Sequence, residues 1–190
     1  MTDRDIIHER GRSLEDDYFR KKDKELVDKL QRAAEAERAK TDMGRAAGIT
    51  DPAVLQELLD RGFTPQTVSL LPIVPILQMA WAEGGITPAE RDLIVRFARG
   101  RGIEEGSEAD RQLASWMSVR PSEAVFSHAG RLIRAMLDSG SAAGLNADDL
   151  VKYCESIASA SGGVLGIGKI SSEERQILAG IAADLKGRQG

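Results

Sequence analysis

Apolar positions in this 190-residue chain recur at helical spacing almost from end to end, and nowhere do they alternate with polar ones over six residues between turn signals. That pattern predicts an all-α protein. The stretch over residues 78–94 shows the punctuation most clearly. An apolar helix end (Met79, Ala80, Trp81, Ala82) stops at Gly84 and Gly85, and a new helix starts at Thr87, with Pro88 in its first turn and Glu90 three residues after the cap. Near the C-terminus the same corner recurs, where residues 168–175 align on 84–91 and Ser171 and Glu174 stand for Thr87 and Glu90. Each corner reads first as a capping box, in which hydroxyl and carboxylate satisfy two amides that a helix start leaves unpaired. Two such corners suggest two related halves.

The other helices follow from the same signals. Asp51-Pro52 starts a short helix that Gly62 stops, and Thr64-Pro65 opens the apolar stretch running from Val68 through Trp81. Pro72 and Pro75 interrupt that stretch, so a kink or a fresh helix is expected near Pro72, because an interior proline costs on the order of 3 kcal/mol. Leu93, Ile94, Phe97 and Ala98 face inward on the helix after the first corner, and Ser107 caps the next. Phe126, Ala129, Leu132, Ile133, Met136 and Leu137 form an amphipathic stripe, Asn146 with Asp149 opens the helix that holds Cys154, and Ile177 to Leu185 line the last. From Pro52 this gives seven helices.

Residues 13–40 differ in kind: 16 of these 28 positions are charged, eight acidic and eight basic, without glycine or proline. Acids placed four residues before bases (Asp16 and Arg20, Glu25 and Lys29, Asp28 and Arg32) support a long solvated helix. Its apolar residues form only a narrow stripe, suited to one line of contact. The expected organisation is a charged helical arm over 1–42, a hinge over 43–51 containing Gly44 and Gly48, and a helical domain over 52–186.

Composition removes several functions. A net charge of -4 gives no general attraction to phosphate backbones, so no nucleic-acid partner is expected. No apolar run is long enough to cross a bilayer and the N-terminus is not signal-like, so no transmembrane segment and a cytoplasmic location are expected. The single cysteine, Cys154, excludes an intrachain disulfide and reads as a buried small hydrophobe. One cysteine with His8 and His128 cannot assemble a zinc shell, and no loop has the Asp-x-Asp-x-Asp-Gly spacing of a calcium hand. The loop over 163–169 begins like a phosphate-binding GxxxxGK pattern but has Ile170 where a magnesium-ligating hydroxyl belongs, and helix where a strand should precede it. Without a Gly-x-Ser-x-Gly turn or a histidine beside a nucleophile, no enzyme is expected.

Two resemblances sharpen the expectation. The run Ala82-Glu83-Gly84-Gly85-Ile86-Thr87-Pro88-Ala89-Glu90 resembles the signature of the TerB-like family of tellurite-resistance and stress-associated domains. The resemblance implies a seven-helix bundle of two pseudo-twofold halves, a non-catalytic role through protein partners, and a weak site for calcium or another divalent hard cation at Glu83, Glu90 and Glu174. Here Glu83 replaces the family's usual Asp, and Ile167 occupies the equivalent position of the second corner. In the arm, Glu15-Asp16-Asp17-Tyr18-Phe19-Arg20 followed by Lys24-Glu25 and then Leu26 and Leu30 resembles the inhibitory segment of the mitochondrial ATPase-inhibitor family. That likeness implies a partner-binding helix directed at the catalytic head of ATP synthase, with Glu15, Tyr18, Phe19, Arg20, Lys24, Glu25, Leu26 and Leu30 as its contacts. The long dimerising coiled coil of that family is absent from this chain.

Overall fold

The computed structural model describes residues 3–138, 146–160 and 170–186, with side chains from Phe19 onward. Every regular element among them is helical. The chain divides into two compact units, Met1–Ala39 and Lys40–Gly190.

The first unit belongs to α1 (Asp3–Ala47), a helix of 45 residues whose composition leaves little to bury. Phe19, Leu26, Val27 and Leu30 are exposed, and Lys22 pairs with Glu25 at 3.5 Å on the helix surface.

In the second unit the last turns of α1 are followed by α2 (Pro52–Asp60), a 3-10 helix (Val68–Ile73), α3 (Val74–Ala80), α4 (Pro88–Gly100), α5 (Glu108–Ser118), α6 (Glu123–Asp138), α7 (Ala147–Ala160) and α8 (Ser172–Lys186). The helix expected to break at Met43 runs on one turn further, because α1 continues through Gly44 to Ala47 and ends at Gly48, whose φ of 66° is left-handed. Gly44 is there for closeness and not for a bend. A Cβ at that position would lie 2.8 Å from the Ile49 carbonyl oxygen, where the chain folds back after Gly48. Met43, Ala47 and Ile49 are thereby buried in the core.

That core is built around its shortest α-helix. The run from Val68 to Ala80 is apolar on every side except at Ser69 and Gln78, and a helix without a polar face has to be covered on all sides. Pro72 closes the 3-10 turn and Pro75 sits in the first turn of α3, so the prolines do restart the helix where one was expected. Around α3 pack α4, α6, α7 and α8. Leu70, Leu71, Ile73, Val74 and Leu77 are fully enclosed, and each such side chain contributes roughly 1.5–3 kcal/mol.

The outer helices are fixed at their ends by the caps the sequence encodes. Asp51 accepts from the Ala53 amide at 2.8 Å, Ser107 from the Asp110 amide at 3.1 Å, and Asn146 from the Asp149 amide at 2.8 Å. Arg99 closes the turn after α4 by donating to the Ile103 carbonyl at 2.8 Å and to Asp110 at 2.8 Å. Asp110 also accepts from the Gly106 amide at 2.9 Å, and this bond, reinforced by the Arg99 guanidinium, holds its carboxyl below the usual range. Cys154 is enclosed in α7, and burial pushes its thiol up to about 12. Among the described residues no helix is long and apolar enough to cross a membrane.

Candidate functional site

The two corners form as the sequence implies. In the first, Gly84 takes φ 88°, a left-handed conformation that ends the turn after α3. The chain then re-enters helix at Thr87. Its amide and its hydroxyl both donate to Glu90 Oε2 at 2.7 Å, and its Oγ1 accepts from the Glu90 amide at 3.3 Å. In the second, the Ser171 amide donates to Glu174 Oε2 at 2.7 Å and Ser171 Oγ accepts from the Glu174 amide at 3.1 Å. Each carboxylate is drawn inward by its box, and Glu90 and Glu174 are both only 2% exposed.

The fold brings these corners together. Trp81, Ala82 and Gly84 from the first, Glu173 and Ile177 from the start of α8, and Arg120 line a cleft of about 380 Å³. Burial raises the pKa of Glu90 above the ordinary glutamate value; its bonds to Thr87 oppose the rise, and the charges of Glu83 and Glu174 add to it. Glu174 therefore lies within electrostatic reach of Glu90 across the corner pair. Glu83 is exposed. Among the described residues no three His, Cys, Asp or Glu side chains converge at metal-holding separations, so the trio Glu83, Glu90 and Glu174 is close without forming a cage. Both boxed carboxylates also have one oxygen committed to the cap amide. Gly168, at the second corner, lies outside the described residues, as does the whole 163–169 loop.

Of the arm residues, Phe19 is 60% exposed, Leu26 55% and Leu30 61%. Spaced by seven and four positions, they fall on one stripe of the helix. Arg20, Lys24 and Glu25 are exposed beside them, while the side chains of Glu15 and Tyr18 lie outside the described residues.

One feature had no signal in the linear pattern. Between α4 and α7 runs a groove of about 700 Å³ lined by Arg96, Phe97, Arg101, Asp149, Lys152 and Tyr153, among others. Its cations are scattered over 57 positions of sequence, and only the packing of α4 on α7 assembles them.

Fold and site together define a helical bundle with two facing capped corners and a long charged N-terminal helix. Comparison with protein-family models, with curated proteins and with solved structures gives no match for this chain.

Proposed function

We propose that this protein is a non-catalytic cytoplasmic adaptor, similar in kind to the TerB-like stress and tellurite-resistance domains, which engages protein partners through its N-terminal helix. The observation that carries this reading is the solvent-facing stripe of Phe19, Leu26 and Leu30 on α1. Apolar anchors set in a charged surround are the pattern by which a helix seats in a partner's groove, with the anchors supplying affinity and the rim charges fixing register. The facing corners support the TerB-like half of the reading.

The test is affinity capture from the protein's native cells with three baits: the full chain, a chain lacking residues 1–39, and a Phe19→Ala, Leu30→Ala double variant. The cut stops at Ala39 because Met43 belongs to the core. A partner held by the full chain and lost from both other baits supports the adaptor; a partner held equally by all three overturns a role for the arm.

The acidic-aromatic run around Phe19 favours a second reading, regulation of an F1-type ATPase. A peptide spanning 7–40 then inhibits the catalytic head of ATP synthase, and Phe19→Ala abolishes the effect. Absence of inhibition at tens of micromolar retires this reading. Weak binding of calcium or a similar hard cation at Glu83, Glu90 and Glu174 rests on the resemblance and on the proximity of Glu90 to Glu174. A calcium titration followed by Trp81 fluorescence, with Glu83→Ala, Glu90→Ala as control, decides it, and no saturable change at millimolar calcium removes it.

A further inference from the structure

The groove between α4 and α7 has a character unlike the rest of this acidic protein. Three cations line it, Arg96 and Arg101 from α4 and the residue after it, and Lys152 from α7, with Asp149 as the one carboxylate among its described lining residues. Asp149 is already engaged, accepting from the Asn146 side-chain amide at 2.8 Å and lying 3.8 Å from Lys152. Arg96 is exposed and has no carboxylate partner among the described residues. The groove thus presents the Arg96 guanidinium, with the Lys152 ammonium beside it, in a chain whose net charge is -4.

Beside these cations lies an aromatic wall. Tyr153 packs against Phe97 with ring centroids 4.3 Å apart and planes tilted by 58°, which fixes the ring from behind. It nevertheless remains 46% exposed, a large ring surface lining the groove. The volume falls in the range of roughly 300–1,000 Å³ typical of small-molecule sites.

From this juxtaposition we propose that the α4–α7 groove binds a small phosphate-bearing molecule with a flat aromatic part, of the nucleotide type. Guanidinium and ammonium groups take the phosphate oxygens through charge-assisted hydrogen bonds, and Arg96 adds a planar donor pair that suits phosphate geometry. The aromatic part lies on Tyr153. An extended acidic peptide fits the site less well, since it needs a track of free backbone donors and acceptors, and the walls here are helices whose amides and carbonyls are bonded internally.

The experiment is calorimetric titration of the full chain with ATP, tripolyphosphate, adenosine and an acidic Glu-Tyr peptide, each at low salt. ATP is expected to saturate at sub-millimolar concentration and more tightly than either of its fragments. Arg96→Ala with Lys152→Ala, two exposed positions, should weaken ATP at least about tenfold, the loss of one or two charge-assisted bonds. Tyr153→Leu keeps apolar packing on Phe97 and should weaken ATP several-fold while leaving tripolyphosphate unchanged. Lack of saturation at millimolar ATP, binding indifferent to the double variant, tripolyphosphate matching ATP, or tighter binding of the peptide would each overturn the proposal.

Discussion

The two corners satisfy the same local atoms and serve different neighbours. In the first, Trp81 Nε1 donates to the Trp116 carbonyl at 3.0 Å and Arg91 Nη2 donates to the Met117 carbonyl at 3.2 Å. Both acceptors belong to the last turn of α5, where a helix leaves its carbonyls without partners. The first corner therefore starts α4 and finishes α5 in one arrangement. At the second corner the residue equivalent to Arg91 is Arg175, and its Nε returns to the Ser171 carbonyl at 3.3 Å, within its own helix start. At the other end of α8, Arg134 donates to the Lys186 carbonyl at 2.8 Å, Lys186 pairs with Asp148 at 2.6 Å, and α6 comes so close that a Cβ on Gly130 would lie 2.5 Å from Asp184 Cβ. A repeated local motif has thus been wired into the bundle by unrelated long-range contacts. Equivalence of sequence does not carry equivalence of structural duty.

The largest expected effect comes from breaking the seat of α8. Gly130→Ala forces a methyl into the Asp184 side chain and should cost about 2–3 kcal/mol, as overpacking does, lowering the thermal midpoint by several degrees when followed by circular dichroism. If the midpoint is unchanged, α6 and α8 do not meet this closely. A smaller and more discriminating pair follows. Arg91→Ala strips a partner from the Met117 carbonyl and should cost about 1 kcal/mol, whereas Arg175→Ala should stay within about 0.5 kcal/mol of wild type. Equal costs in denaturant unfolding would make the corners equivalent after all.

The smallest effect concerns protons. Because the pKa of Glu90 is raised on folding, the native state binds its proton more tightly than the unfolded chain does. The resulting stabilisation is fully present below the ordinary glutamate value of 4.5 and is lost as pH rises through the higher folded value. Glu90→Gln keeps an acceptor for the Thr87 amide and removes the titration. The stability of wild type relative to this variant should accordingly be greater at pH 4 than at pH 7, and a difference that does not vary with pH would place the Glu90 carboxyl in an ordinary environment.

What could be read from the chain and what could not separates along one physical line. The starts of α4, α5, α7 and α8 were legible because a cap is completed within four residues: Thr87 with Glu90, Ser107 with Asp110, Asn146 with Asp149, Ser171 with Glu174. The restart at Pro72 and Pro75 was legible because a proline ring acts on its own backbone and the turn before it. Gly44 was misleading, since a glycine that permits close approach looks the same in sequence as one that breaks a helix, and the Ile49 carbonyl that explains it depends on the turn at Gly48. The α4–α7 groove was invisible, because Arg96 and Lys152 become neighbours of one cavity only when two distant helices pack. Among the site residues, the inward turn of Glu90 and Glu174 followed from their boxes, whereas the exposure of Glu83 did not follow from anything nearby.

The enclosed Cys154 gives the bundle a built-in stopwatch. A thiol pushed to about 12 and shut away from solvent has almost no thiolate at neutral pH and no path to a reagent while α7 stays docked. Its labelling by a maleimide is then timed by the opening of the helices around it, so one intrinsic atom reports how often the interior of this protein is laid bare.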